Sequence, residues 1–336
     1  MIERWLPAAL LLCLTQGLAA QPVPATAQSA IPPLAAPTPQ TAPVTPQAAI
    51  GWKLFFDPRL SRNEKVSCAT CHDPERGYGD GLRFSIGANG DVLTRNSPSV
   101  VNLANAKELF WDGRADSLEH QAEGPMTNPM EMDFALDEIT ARVAADPDYR
   151  KAFGNIGVQD IAIGDITAAL AAFERTLVTG ETAYDRWLQG DTSALDKSQS
   201  NGRFLFFTRG QCAICHIPPD FSDHRFHNVG TGTLADTGRF AITGDEKDLG
   251  AFKTPSLRNW RGKEPFMHDG RFATIEEVIA FYNDPPPPEV GESELDPLGF
   301  SARDQRDLLA FMEALNGAWP DLAPHEAAWN ALLQAP

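Results

Sequence analysis

Four things are scarce in this chain: spare cysteine, excess positive charge, a membrane-length apolar run and strand-like alternation. Of the five cysteines, Cys13 falls within the first twenty residues and the other four sit in two five-residue groups, so none is left for a disulfide framework. Lysine and arginine number 28 against 45 acidic residues, a formal charge of −17, which argues against nucleic acid and anionic membrane as partners. The apolar stretch centred on Leu10 to Leu14 is too short to span a bilayer comfortably. No segment alternates strongly enough to build a substantial sheet. The long segments Asp137–Arg142, Ile161–Leu177 and Ser301–Leu315 instead carry apolar residues at three- and four-residue spacing, and the chain is expected to be mostly α.

The N-terminus reads as a secretory signal over 1–20, with Arg4 as its basic end and Gly17-Leu18-Ala19-Ala20 as its small-residue cleavage region. Bulky Leu12 before Cys13 disfavours a lipoprotein anchor. Residues 21–48 are rich in Pro, Ala, Thr and Gln, with no hydrophobic period and no charge, and read as a disordered leader. Export predicts a periplasmic protein.

The four remaining cysteines form Cys68-Ala69-Thr70-Cys71-His72 and Cys212-Ala213-Ile214-Cys215-His216. This spacing suits covalent haem c: two thiols add to the vinyl groups, and the following imidazole binds the iron. Three further echoes follow in the same order. Gly-x-x-Leu-Phe-Phe precedes each pentad, at Gly51 and Gly202; Ser97–Asn102 matches Thr254–Asn259; Asp112–Glu119 matches Asp269–Glu276. A duplicated unit is implied, giving two tandem cytochrome-c-like domains, 49–190 and 191–336, with one haem each. Thr274-Ile275-Glu276-Glu277 reads as a capping box opening a helix that ends at Tyr282, before four prolines.

An iron held by histidine on one face is either closed by a second side chain, and then transfers electrons, or open, and then binds peroxide. In the second half the candidate closing ligands are Met267, His268 and Tyr282.

The two pentads together with FWDGRADSLE, NPMEM, FKTPSLRN and FMHDGRFATIEEVIAFY resemble the bacterial dihaem cytochrome c peroxidase family, from Gly51 to Leu315. In those peroxidases a methionine late in the last of these helices closes the second iron. Here that position, fourteen residues beyond His268, is Tyr282. The departure marks the branch of the family that matures the tryptophan tryptophylquinone cofactor of methylamine dehydrogenase. The resemblance implies that Tyr282 ligates the iron of His216. In the first half the position matching Tyr282 is Pro125, which has no donor atom, and the family's closing histidine is replaced by Ala88. The iron of His72 is therefore expected to be open. His120, beside this segment, reads as a surface residue.

The same resemblance makes Glu131, Gln121 and Pro125 the residues facing that open iron, with Glu131 moving the peroxide proton and Gln121 orienting water. It places Trp111 between the haems as a relay. Asn96 and the carbonyls of Lys263 and Pro265 match the family's interdomain Ca²⁺ site, and oxygen ligands suit that ion. Arg258, His227 and His268 are candidates for propionate contacts, while His224 and His325 are expected to be exposed.

The implied function is an enzyme that uses hydrogen peroxide to oxidise tryptophans of a docked protein, a precursor of methylamine dehydrogenase or similar. One alternative is a peroxidase drawing electrons from a small redox protein. Another is a non-catalytic electron carrier, which the open iron argues against.

Overall fold

The computed structural model describes residues 43–335. The signal segment and the leader up to residue 42 lie outside the described residues. The first described helix, α1 (Pro46–Phe55), starts earlier than the leader reading to residue 48 expects. The reason is local: Thr45 caps the helix through its side-chain oxygen, and Pro46 occupies the first turn, where its missing N–H costs nothing. A proline counted toward disorder is here a helix start.

The first pentad opens on α2 (Cys68–Cys71), followed by α3 (Leu118–Thr127), α4 (Leu136–Ala145), α5 (Pro147–Gly154) and α6 (Ile163–Glu174). Then come α7 (Ala183–Leu188), α8 (Lys197–Phe207), α9 (Phe240–Thr243), α10 (Ile275–Asn283), α11 (Ala302–Glu313) and α12 (Ala323–Gln334). The described sheet is one antiparallel pair of two-residue strands, β1 (Phe226–His227) and β2 (Phe252–Lys253). The mostly helical expectation holds. No described helix is long and apolar enough to cross a membrane. The capping box at α10 forms as read: Thr274 Oγ1 accepts the Glu277 amide and Glu277 accepts the Thr274 amide, each at 3.2 Å.

Two hydrophobic clusters organise these helices. The first contains Ile50, Leu54, Phe55, Ile166, Leu170 and Phe173; the second contains Leu205, Phe206, Phe221, Leu308, Phe311 and Leu315. Each is built on one close helix crossing. A Cβ added to Gly51 would lie 1.8 Å from the Ala169 carbonyl oxygen and 2.9 Å from Phe173 Cβ. A Cβ added to Gly202 would lie 1.8 Å from the Asp307 oxygen and 2.8 Å from Phe311 Cβ. The shared Gly-x-x-Leu-Phe-Phe motif is thus a packing requirement: glycine lets α1 lie on α6, and α8 on α11, while the aromatic pair fills the core beside the crossing.

Other echoes superpose in function as well. Asn102 is bonded to Thr179 just after α6, and Asn259 to Gly317 just after α11. Arg114 pairs with Asp112 and Arg271 with Asp269, each at 3.0 Å, across glycines with left-handed φ of 76° and 60°.

Glycine-to-alanine exchange in a helix interior normally gains about 1 kcal/mol. At Gly51 or Gly202 the clash with a backbone carbonyl outweighs that gain, and alanine is expected to destabilise by about 3 kcal/mol, at the upper end of overpacking costs. A denaturation midpoint unchanged from the parent contradicts this crossing geometry.

The last segment departs from a simple division at residue 190. Trp329 of α12 is part of the first cluster, where it packs on Tyr149 at 5.6 Å, and Trp319, Leu322, Leu332 and Leu333 pack against the same cluster. α12 thus packs back onto the helices of the first cluster.

Candidate active site

Each pentad presents its histidine in the same way. His72 Nδ1 lies 3.2 Å from the Tyr78 carbonyl and His216 Nδ1 lies 3.0 Å from the Phe221 carbonyl. A carbonyl only accepts, so both Nδ1 atoms carry the hydrogen and both Nε2 atoms keep a lone pair for a metal. Burial lowers the proton affinity of both rings, which favours the neutral, ligating form. None of the four pentad thiols is in a disulfide, and desolvation pushes Cys68 up to about 12.

Above the first pentad is a cavity. Cys68, Cys71 and His72 line it together with Gln121, Pro125 and Glu131. Three residues from α3 and the loop after it therefore line one cavity with the pentad. Pro125 sits inside α3, and its carbonyl accepts the Met132 amide at 3.1 Å, folding the Asn128–Met132 loop back over the cavity. Glu131 accepts from Asn128 Nδ2 at 2.7 Å, and desolvation pushes its carboxyl upward. Ala88 reaches this loop through its backbone, donating to the Glu131 carbonyl at 2.6 Å. Its neighbour Gly87 lines the cavity where a Cβ would meet the Met130 oxygen at 1.8 Å.

Tyr282, on the last turn of α10, lies within electrostatic reach of the second pentad: burial first, then Cys212 and Cys215, push its phenol upward. Trp111 bridges the halves. Its Nε1 donates to the Asn96 carbonyl at 2.9 Å, its carbonyl accepts the Lys253 amide at 2.8 Å, and its ring lies 6.5 Å from that of His268. Asn96 is buried on the same seam, its amide donating to the His268 carbonyl at 2.7 Å and its Nδ2 to the Leu82 carbonyl at 2.8 Å. Lys263 turns its side chain inward onto the Arg258 carbonyl at 2.7 Å, and its amide donates to the Trp260 carbonyl at 3.2 Å. Pro265 follows two residues later in the same loop.

Several candidates stand elsewhere than expected. Arg258 is fully buried and its guanidinium is committed to Asp185 by two bonds of 2.8 and 2.9 Å, which removes it from the propionate candidates. His268 stacks on Phe252 at 3.5 Å, and His227 is held between Asp223 and Glu294 at 2.9 and 2.7 Å. His227, Asp223 and Cys215 cluster within 4.8 Å, but Cys215 is a pentad thiol and the group belongs to that site. His325 is buried, not exposed: α12 brings it against Phe173 and to 2.8 Å from Thr176 Oγ1. His224 is half-buried on Asp220 at 3.0 Å. His120 is exposed, as read.

One cavity residue has no counterpart in the sequence reading. Glu174, at the end of α6, is 6% exposed and lines the first cavity. It lies four residues after Leu170 and three before Leu177, on the apolar stripe of its helix. An acid on that stripe is the signal that would have found it.

A sequence profile described as di-haem cytochrome c peroxidase matches residues 45–193. The Methylorubrum extorquens protein named methylamine utilization protein MauG is 44% identical over 294 residues, 84% of this chain and 82% of its own. The chain belongs to the di-haem cytochrome c peroxidase family. As a member it is a haem-dependent oxidoreductase acting with peroxide, and the family implies two haems. The cytochrome c551 peroxidase of Nitrosomonas europaea is 36% identical over 328 residues, 96% of this chain and 94% of its own. Among solved structures, a MauG-like protein associated with microbial copper homeostasis aligns at a TM-score of 0.74 and 32% identity, over 89% of this chain and 95% of that one. The paired histidines with free Nε2, the thiols beside them and the lined cavity fit the two haems of this family.

Proposed function

We propose that this protein is an exported, periplasmic enzyme with two covalent c-type haems, one per half, that uses hydrogen peroxide to oxidise tryptophans of a docked precursor protein. The 44% identity to the methylamine utilization relative supports a precursor of methylamine dehydrogenase as that partner. What supports this reading is Tyr282, within electrostatic reach of the second pentad and at the position where the resemblance gives the peroxidases methionine. When bound, the first haem supplies an open iron for peroxide and the second a closed iron that shares the oxidising charge.

The chain's own residues do the rest. His72 and His216 hold the irons through Nε2, fixed by the Tyr78 and Phe221 carbonyls. Tyr282 would hold the second iron as an anionic oxygen donor, which favours high oxidation states where a thioether opposes them. Glu131 takes a proton from one peroxide oxygen and returns it to the departing one, and Gln121 orients the water beside it. Pro125 and Ala88 would offer the first iron no side-chain donor atom. Trp111, in contact with both halves, relays charge between them. Asn96 with the carbonyls of Lys263 and Pro265 supplies the neutral oxygen donors that suit a Ca²⁺ ion on the seam.

A second reading is simple peroxide reduction with electrons from a small redox protein, favoured by the near full-length match to the Nitrosomonas peroxidase. Peroxide added to the haem-loaded protein beside each candidate reductant separates the two. Modification of the precursor protein with slow consumption of reduced cytochrome c is the expected result. Rapid cytochrome oxidation with an unmodified precursor establishes the second reading.

A further inference from the structure

Reducing one peroxide to two waters takes two electrons and two protons. Under the proposed function the electrons travel far: they leave tryptophans of another protein and arrive through the chain. The protons released there stay at the distant partner, so protons must enter the first cavity by a separate route. Glu131 only moves a proton already carried by the peroxide from one oxygen to the other.

The first cavity contains a second carboxyl group. Glu174 is 6% exposed, lines the cavity with His72, Gln121 and Glu131, and has a fully buried Oε2 without a hydrogen-bond partner among the described residues. A buried oxygen left unpaired costs about 1–3 kcal/mol, so retaining one beside a reactive cavity calls for a use or a cavity water. Its neighbour in sequence lies at the solvent-facing side of the helix. Arg175 makes a two-pronged pair with Glu119 at 2.8 and 3.0 Å, and both side chains are about one-third exposed or more, at 40% and 35%. Glu119 and Gln121 both lie on α3, so the pair at the surface and the amide in the cavity share one helix.

We infer that Glu174 passes protons from solvent near the Arg175–Glu119 pair into the first cavity, giving one to the departing oxygen through cavity water and regaining it from outside. In each passage the carboxylic O–H breaks, an O–H of water forms, and the carboxylate takes the next proton from bulk solvent. The electrons come from the protein or redox partner of the proposed function, on which this inference rests.

The surroundings suit the role. Desolvation holds the carboxyl neutral up to about 8; Arg175 favours the anion and Glu119 opposes it. The other titratable groups around the cavity are the Cys68 and Cys71 thiols, His72 and Glu131, while α1 presents Phe55 to Phe173 beside it and α12 presents His325 to the other edge of that ring. The acid form donates, so supply is full below about pH 8 and falls as pH rises through it.

The test uses the haem-loaded full chain, its Glu174→Gln variant and hydrogen peroxide with a reductant that the parent accepts. The glutamine keeps size and hydrogen bonding but cannot release a proton. The parent's peroxide consumption should fall as pH rises through about 8; the variant should be at least tenfold slower at neutral pH and flat across that range, with resting haem spectra unchanged. Infrared spectra of the resting parent, without peroxide, should show a carboxylic-acid carbonyl band that disappears over the same pH range and is missing from the variant. Equal rates and pH profiles, or a band that survives in the variant, overturn the inference. Loss of haem from the glutamine variant does so too, since it assigns Glu174 a structural role. A parent that consumes no peroxide defeats the reading of the site instead, and is distinguishable from all of these.

Discussion

Under the proposed function, replacing Tyr282 by Phe is expected to leave haem content intact and to remove the capacity to hold two oxidising equivalents after peroxide. The phenol and phenyl rings have nearly the same shape, so α10 and its packing of Ile275 and Ile279 into the second core survive. What disappears is the only oxygen on that side chain. The second iron loses an anionic donor, and the charge that peroxide removes can no longer be shared stably between the halves. Resting ferric parent protein should show one high-spin and one low-spin iron by electron paramagnetic resonance. The variant should show two high-spin signals, and modification of the precursor protein should become undetectable. A variant that keeps its low-spin signal and its oxidised lifetime eliminates Tyr282 as the ligand and favours the peroxidase reading.

Glu131→Gln has the next largest expected effect. Positioned acid–base groups contribute typically 10²–10⁴-fold, and peroxide cleavage needs a proton moved between two oxygens on one face of the iron. Glutamine still meets Asn128, which now donates to the Glu131 carboxylate at 2.7 Å, so the loop should hold its place. Peroxide consumption should fall by about a hundredfold or more, with haem content, resting spectra and the reduction of the second haem unchanged. A loss below fivefold assigns the proton transfer to another group in the cavity.

The parts of this molecule that were legible in the sequence are those whose physics is local. A pentad must carry two thiols and an imidazole at fixed spacing, and a capping box must place Thr274 three residues before Glu277. A glycine at a helix crossing must recur wherever the crossing recurs, and Gly51 and Gly202 announced the duplication before the cores were seen. The two histidine–carbonyl bonds at Tyr78 and Phe221 then gave each repeat the same local geometry.

What stayed hidden depends on tertiary context. Arg258 looked free to meet an anion, but Asp185, seventy-three residues away, already holds it. His325 is expected to be exposed from sequence because nothing local to it reveals that α12 packs back onto Phe173 and Thr176. Glu174 was read as one residue of a helix. Its position on the apolar stripe was visible, and only the cavity explains it.

That returning final helix also sets an order of assembly. The first core includes Trp329, so the seat beside Tyr149 stays open until α12 packs into it. The first half therefore cannot finish folding from its own residues alone. A chain cut before α12 would leave Tyr149 and the core beneath it exposed to water, although every residue of the first half is present.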